Sequence, residues 1–446
     1  MTPRILLAFL SASLLACGER VAPPAPAAVE PSSGGGQIAP VRTILPVPLI
    51  ATVLDAEGAA LHGVRVEWRL EGDGRLESMN AVTDARGKAR AHWILGATPG
   101  PSTAIAAIPG LSPAVFDAIA ESLEDLPPGE IRMLQVPTYD GSGQVVHPDY
   151  LRTPAGVLPR YQHLAITPYP LGDATRENPS VFVGRRPGLW TLDPGAPNPV
   201  ATPAAGYLSD PDLLYEPVTR ELWLYYRQAT ARNTIFLVRS ADGIVWSDPV
   251  PVAVVPSHEL VSPAVVRRAP GDWWMWSVNA GPAGCAATTT TLEVRRSTDG
   301  LAWSAPQTAE LPQPGLYPWH VDVQWIPGRQ EFWAIYNAKT GGGCTTPAVF
   351  LATSRDGIRW RVAERPVIVK GRIPEFADIV YRSSLFYDPV TDAITFWYSG
   401  ARYSTSGYVW SAAVERRPRQ EVFAPGGVAA AALRFEPAPA PLEDWP

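Results

Sequence analysis

The sequence predicts an all-β protein, a small β-sandwich followed by a five-bladed β-propeller, on three observations. A seven-residue phrase of the form Ser-x-Asp-Gly-x-x-Trp occurs at 240–246, 297–303 and 354–360, a fixed interval of 57 residues. Self-similarity at a period of roughly 50 residues marks one small sheet per repeat. Five segments, opening near His147, Ser209, Leu260, His320 and Tyr381, begin with a short polar phrase and run on into alternating apolar residues, each followed by an aromatic second strand. Upstream, stretches such as 49–53 and 64–68 alternate in polarity between turn residues, as the strands of a sandwich do.

Taken in order, residues 1–17 read as an export signal: Arg4 is the positive flank, and the apolar stretch 5–15 is too short to span a bilayer. It ends Leu14-Leu15-Ala16-Cys17, which resembles the lipobox of bacterial lipoproteins. The resemblance implies lipidation of Cys17. With Gly18 beside the Cys, it also implies display at the outer membrane or cell surface. Residues 18–41, rich in Pro, Ala and Gly, are expected to be a flexible tether. The sandwich is expected at 42–121, where Val53-Leu54-Asp55, Gly63-Val64-Arg65-Val66 and the run from Thr83 to Ala89 resemble a bacterial immunoglobulin-like domain of the invasin type. Such domains act as stalks.

The propeller is expected at 128–416, and an Ala/Pro-rich tail at 417–446. Within each repeat Asp-Gly makes a tight turn between the last two strands, because Gly tolerates φ > 0 and Asp bonds its own downstream backbone. The Trp then packs between neighbouring sheets. Blade one carries 184–190 in place of the phrase, blade five lacks it, and 131–136 is expected to complete the last sheet. Cys285 and Cys344 fall in equivalent loops of adjacent repeats, which suits a disulfide in an oxidising compartment, with two free thiols as the alternative.

Charged residues make up 18% of the chain and the formal charge is −6, so nothing supports a nucleic-acid partner. Sixteen Trp and fifteen Tyr suit sugar-stacking platforms as well as core packing. In a propeller the innermost strands line a central channel, and here their starts are polar: His147, Asp149, Asp210, Asp212, His320, Asp322 and Arg382, with Glu259 and Glu375 just upstream of theirs.

The ring resembles the five-bladed propellers of glycoside hydrolase family 43 and its relatives in family 32. The resemblance implies Asp149 as general base or nucleophile, Asp210 or Asp212 as a tuning carboxylate, and Glu259 as general acid, with Glu177 and Glu375 as rival acids. Two carboxylates in different settings supply both protonation states that glycoside cleavage needs. His147, Glu177, His320, Asp322, Glu375 and Arg382 are the candidates for substrate binding. His320 and Asp322 read either as a hydrogen-bonded pair or as partial ligands of a channel Ca²⁺. No resident cofactor is otherwise expected, and no metal ligand set is assigned. Arg382 suits an anionic sugar or an ion pair with Asp149 or Asp212. Sialidases share the Asp-Gly turns but need an arginine triad, for which only Arg382 is a candidate.

The expected function is hydrolysis of glycosidic bonds in an extracellular polysaccharide by a lipid-anchored protein, the anchor being its membrane contact. The alternative is a non-catalytic propeller that binds a glycan or a protein partner on a stalk.

Overall fold

The computed structural model describes residues 24–424, apart from 42–43, 46, 97, 122–125, 155–157, 159, 161 and 187. The expected export signal, with Cys17, and residues 425–446 lie outside the described residues. Strands dominate, and none of the described helices is long and apolar enough to cross a membrane.

Two four-stranded sheets form from the N-terminal part of the chain. One orders Ala28–Ser33, Leu49–Leu54, Lys88–Leu95 and Gly74–Asn80; the other orders Gln37–Pro40, Ala114–Glu121, Gly100–Ala107 and Glu67–Glu71. Strict alternation of buried and part-buried residues along Leu49–Leu54 and Lys88–Leu95 turns Leu49, Ala51, Val53, Ala89, Ala91 and Trp93 into a core. The expected tether needs correction. Residues 28–33 pair antiparallel with 50–54, and 37–40 pair parallel with 118–121. Both strands lie at sheet edges, where the prolines Pro31 and Pro40 are tolerated.

The rest of the described chain forms five antiparallel sheets of four or more strands. Their innermost strands are Val145–Arg152, Tyr207–Glu216, Val261–Ala269, Tyr317–Ile326 and Ile379–Asp388. Each touches the next, and the fifth touches the first, so the sheets close a ring as the blades of a propeller. Ile131–Met133 pairs with Gly407–Pro418 and supplies the fourth strand of the last blade. Hydrophobic clusters fill the seams between successive blades. At the seam of blades five and one, Tyr150 stacks on Trp397 with ring centroids 3.7 Å apart.

The repeated phrase lies in the hairpin between third and fourth strands, on the rim. In the second copy the Asp299 carboxylate accepts from the Leu301 and Ala302 amides at 2.8 and 3.0 Å, while Ser297 Oγ accepts from Gly300. The other two copies repeat this pattern. Gly357 shows why the fourth position must lack a side chain: its φ is +71°, and a Cβ would lie 2.5 Å from the Trp274 ring. Trp246, Trp303 and Trp360 each pack into the seam toward the preceding blade.

Candidate functional site

Every inner strand bulges near its start, at equivalent positions in the first three blades (146/149, 209/212 and 261/264) and one or two residues earlier in the last two (318/320 and 380/383). A bulge re-aims the side chain that would otherwise follow the pleat. His147, Asp210 and Ser262 are held at φ of 61°, 52° and 55°, a left-handed conformation that costs a non-glycine residue about 1–3 kcal/mol. The result is two layers of axial side chains, one residue per blade in each. The upper layer is His147, Asp210, Ser262, His320 and Arg382; the lower, two residues further along, is Asp149, Asp212, Ala264, Asp322 and Ser384. All ten are buried.

The lower layer staples the ring. Asp149 accepts from the Leu213 amide at 2.6 Å, Asp212 from Val265 at 3.1 Å, Asp322 from Leu385 at 3.1 Å, and Ser384 from Tyr150 at 3.2 Å. Each bond runs from one blade to the next. Blade three has Ala264 here, and its link to blade four is made a layer higher, where Ser262 Oγ donates to the Val321 carbonyl at 3.0 Å. Burial, and then mutual repulsion, raises Asp149 well above the carboxylate range. Burial and the Asp322 charge push Asp212 to about 8, and burial takes Asp322 to about 6; Arg382 opposes all three shifts.

The upper layer is built differently. Asp210 Oδ2 is gripped by the Arg227 guanidinium at 2.7 Å, and Arg227 also donates to Ser209 Oγ. Its other oxygen, Oδ1, faces His320 Nδ1 at 3.2 Å, His147 Nε2 at 3.5 Å and Arg382 at 3.6 Å. Glu177, carried by the loop before the third strand of blade one, brings Oε2 to 3.2 Å from His147 Nδ1. Although burial would raise Asp210, Arg227 and the two imidazoles hold it well below the carboxylate range. Burial lowers His147 and His320, so both rings favour the neutral form, and it raises Glu177 against the pull of His147. Tyr381, next to Arg382, lies against both imidazoles, with ring centroids 4.5 Å from His320 and 5.6 Å from His147. Its hydroxyl accepts from the Trp319 indole at 2.9 Å, which leaves its own proton to donate. Burial keeps that phenol protonated.

One ligand atom each from His147, Asp210 and His320 lies within 4.8 Å of the others. Asp210 Oδ1, His147 Nε2 and both His320 ring nitrogens are buried without an aligned hydrogen bond. Two neutral imidazoles and one ionised carboxylate with orphaned, converging lone pairs are a donor set that fits a divalent transition metal. The Ca²⁺ considered for His320 and Asp322 fits less well. Those two residues belong to different layers, and His320 pairs with Asp210.

Of the residues proposed from sequence, the upper layer thus gathers His147, Glu177, Asp210, His320 and Arg382. Asp149, Asp212 and Asp322 lie in the lower layer, tied to backbone amides. Arg382 reaches Asp210 by direct approach and acts on the three lower carboxylates electrostatically. Glu259 is half-buried, with Arg295 as an electrostatic partner, and Glu375 is part-buried in the short turn Pro374–Phe376; neither joins the axial layers. Cys285 and Cys344 are bonded, with Cα atoms 4.9 Å apart. Sequence reasoning missed Arg227, Tyr381 and Trp319. The pairs Trp319-His320 and Tyr381-Arg382 hold equivalent places in their blades, an aromatic before each layer residue, which is the signal that was available. A cavity of about 500 Å³ is lined by residues of blades four and five such as Arg329, Trp333 and Arg417, none of them in the axial layers.

No family model matches the chain. It is similar to an A type blood N-acetyl-α-D-galactosamine deacetylase of Flavonifractor plautii, 26% identical over 319 residues, covering 59% of this chain and 41% of that protein. The chain therefore spans about two fifths of that relative's length. Among solved structures, an N-acetylgalactosamine deacetylase from F. plautii in complex with blood group B trisaccharide superposes with a TM-score of 0.59 at 22% identity, covering 65% of this chain and 96% of that one. A Penicillium chrysogenum α-L-arabinanase complexed with arabinobiose gives 0.43 at 13%, covering 61% and 93%.

Proposed function

We propose that this protein is a metal-dependent hydrolase that removes the acyl group from an N-acetylated amino sugar of a glycan. The observation that carries the reading is the buried His147, Asp210 and His320 set, with orphaned lone pairs converging beside Glu177 and the Tyr381 hydroxyl. The similarity to a deacetylase over 319 residues supports it. Glycosidic cleavage would need two free carboxylates flanking the bond. Here Asp149 is tied to a backbone amide, and Glu259 lies off the axis.

A divalent ion held by His147, Asp210 and His320 would supply Lewis acidity toward an acyl oxygen and lower the pKa of a water. The chain's own groups divide the remaining work. Glu177, raised by burial, accepts a proton from the attacking water and returns it to the departing nitrogen as the C–N bond breaks. Tyr381 donates its hydroxyl to the carbonyl oxygen as negative charge grows there. Arg227 keeps Asp210 ionised and fixed. The products are acetate and a free amino sugar.

The test is an assay of purified protein on N-acetylated glycans, following both acetate release and new reducing ends, before and after chelation and with Zn²⁺ or Mn²⁺ returned. Acetate release that chelation abolishes and metal restores is the expected result. New reducing ends without acetate would return the site to glycosidic cleavage. Glycan binding without turnover would favour the recognition role.

A further inference from the structure

The disulfide is close to the site, and the connection can be followed atom by atom. Cys285 belongs to the turn Gly281–Ala286 after the second strand of blade three, and Cys344 to the matching loop of blade four. Two residues beyond Cys344, the Thr346 hydroxyl accepts from Asn337 Nδ2 at 2.9 Å, and Asn337 Oδ1 accepts from the backbone amide of His320 at 2.8 Å. The same Thr346 hydroxyl donates to the Val380 carbonyl, and the Val380 amide donates back to the Thr346 carbonyl at 3.1 Å. Val380 immediately precedes Tyr381. One residue of the bridged loop therefore holds the backbone at His320 and at Tyr381 together.

A second set of contacts runs from the other half of the bridge. The Cys285 carbonyl accepts from the Gly343 amide at 2.6 Å and from the Lys339 ammonium at 3.1 Å. That ammonium stands 4.6 Å over the Trp319 ring, and the Trp319 indole donates to Tyr381. Both cysteines and Tyr381 pack on the small apolar cluster of Ala280, Ala287 and Trp319. On the far side, Gly284 presses its backbone on the His258 ring, where a Cβ would stand 2.9 Å away. Asn337 and Thr346 are both buried, at 0% and 1% exposure, so neither amide nor hydroxyl has water to fall back on.

We infer that the Cys285–Cys344 bridge, with Thr346 and Asn337 beneath it, is the positioning device that sets His320 and Tyr381 against one another. The inference rests on the proposed metal-hydrolase reading of the site. Partners behind a metal ligand fix the ring's orientation, and losing one typically weakens metal affinity by about 10–100-fold. Here the partner acts through the ligand's backbone, so about 10-fold is the expectation.

The test compares full-length wild type with Cys285→Ser/Cys344→Ser, Thr346→Val and Thr346→Ser. Zn²⁺ affinity is measured by calorimetry, the His320 ring ¹⁵N shifts by NMR of the metal-free proteins, and folding by thermal melts. The serine pair and Thr346→Val should bind Zn²⁺ about 10-fold more weakly and move the His320 resonances, while remaining folded. Thr346→Ser, which keeps the hydroxyl, should restore both. Unchanged affinity with unmoved His320 resonances in the folded variants overturns the positioning role. Absence of Zn²⁺ binding by wild type overturns the metal reading instead, and the His320 resonances then still decide the positioning. Should the serine pair fail to fold, the two Thr346 variants decide it.

Discussion

At the scale of single residues, the chemistry depends on which axial layer a side chain occupies. Asp210 and Asp212 are two positions apart on one strand and both buried, yet one is driven down by Arg227 and the other pushed to about 8 by burial and a neighbouring carboxylate. The sequence shows both as aspartates of one polar phrase, Ser209-Asp210-Pro211-Asp212, and has no means of ranking them. The left-handed turn of the backbone at Asp210 separates their roles, and a propensity reading does not anticipate φ > 0 there. Glu177 was visible only as a rival acid or a substrate-binding group, because it comes from a loop rather than from an inner strand. Its proposed part gives a clean test. Glu177→Gln keeps the shape and the contact with His147 while removing the exchangeable carboxyl, so kcat should fall by about 10²–10⁴-fold. Zn²⁺ affinity should stay within a few-fold of wild type, since Glu177 is outside the proposed ligand set. Steady-state kinetics beside calorimetry separates the two effects, and retained kcat would remove Glu177 from the reaction.

At the scale of the element, the legible features were those written into short-range chemistry. The Asp-Gly turns and the aromatic second strands follow from local pattern, and the repeat register gave the pairing of Cys285 with Cys344 and a closing strand, expected at 131–136 and found at 131–133. The strands at 28–33 and 37–40 were not legible. Their Pro, Ser and Gly content looks like linker, and only pairing with partners some twenty to eighty residues away gives them order. The turns themselves are scaffold. Asp299 caps the Leu301 and Ala302 amides on the rim, far from the upper layer, and the Gly300 carbonyl beside it accepts from Tyr225 at 2.8 Å. Asp299→Ala should lower unfolding free energy by about 1 kcal/mol, as loss of a comparable side-chain cap does, and leave kcat and metal affinity as they were. Denaturant titration with a parallel activity measurement checks both halves. A loss of activity greater than the loss of folded protein would contradict the scaffold role.

At the scale of the whole propeller, the ring has five seams and no free end, and its site exists only while all five stay closed. Four of the five lower-layer side chains bind the next blade rather than their own, Ser262 makes the fifth link from the upper layer, and that layer draws His147, Asp210 and His320 from three different sheets. Opening one seam strips both facing apolar clusters of cover and frees the inner strands on either side. Blades are therefore expected to unfold together, unlike the repeats of an open solenoid, whose ends can fray separately. The seam between blades five and one joins the last sheet to the first, and the chain crosses it only from Ile131–Met133 in blade five to Val145–Arg152 in blade one. Tyr150 stacks on Trp397 across it, with ring centroids 3.7 Å apart. Trp397→Ala should cost about 3–5 kcal/mol through the cavity left behind. In a cooperative ring that loss appears everywhere at once. Hydrogen exchange should speed by a similar factor in the inner strand of blade three, Val261–Ala269, and in that of blade one, Val145–Arg152. Exchange accelerated only at the seam of blades five and one would mean that the ring opens locally, and that the proposed metal site can lose His147 while Asp210 and His320 stay in place.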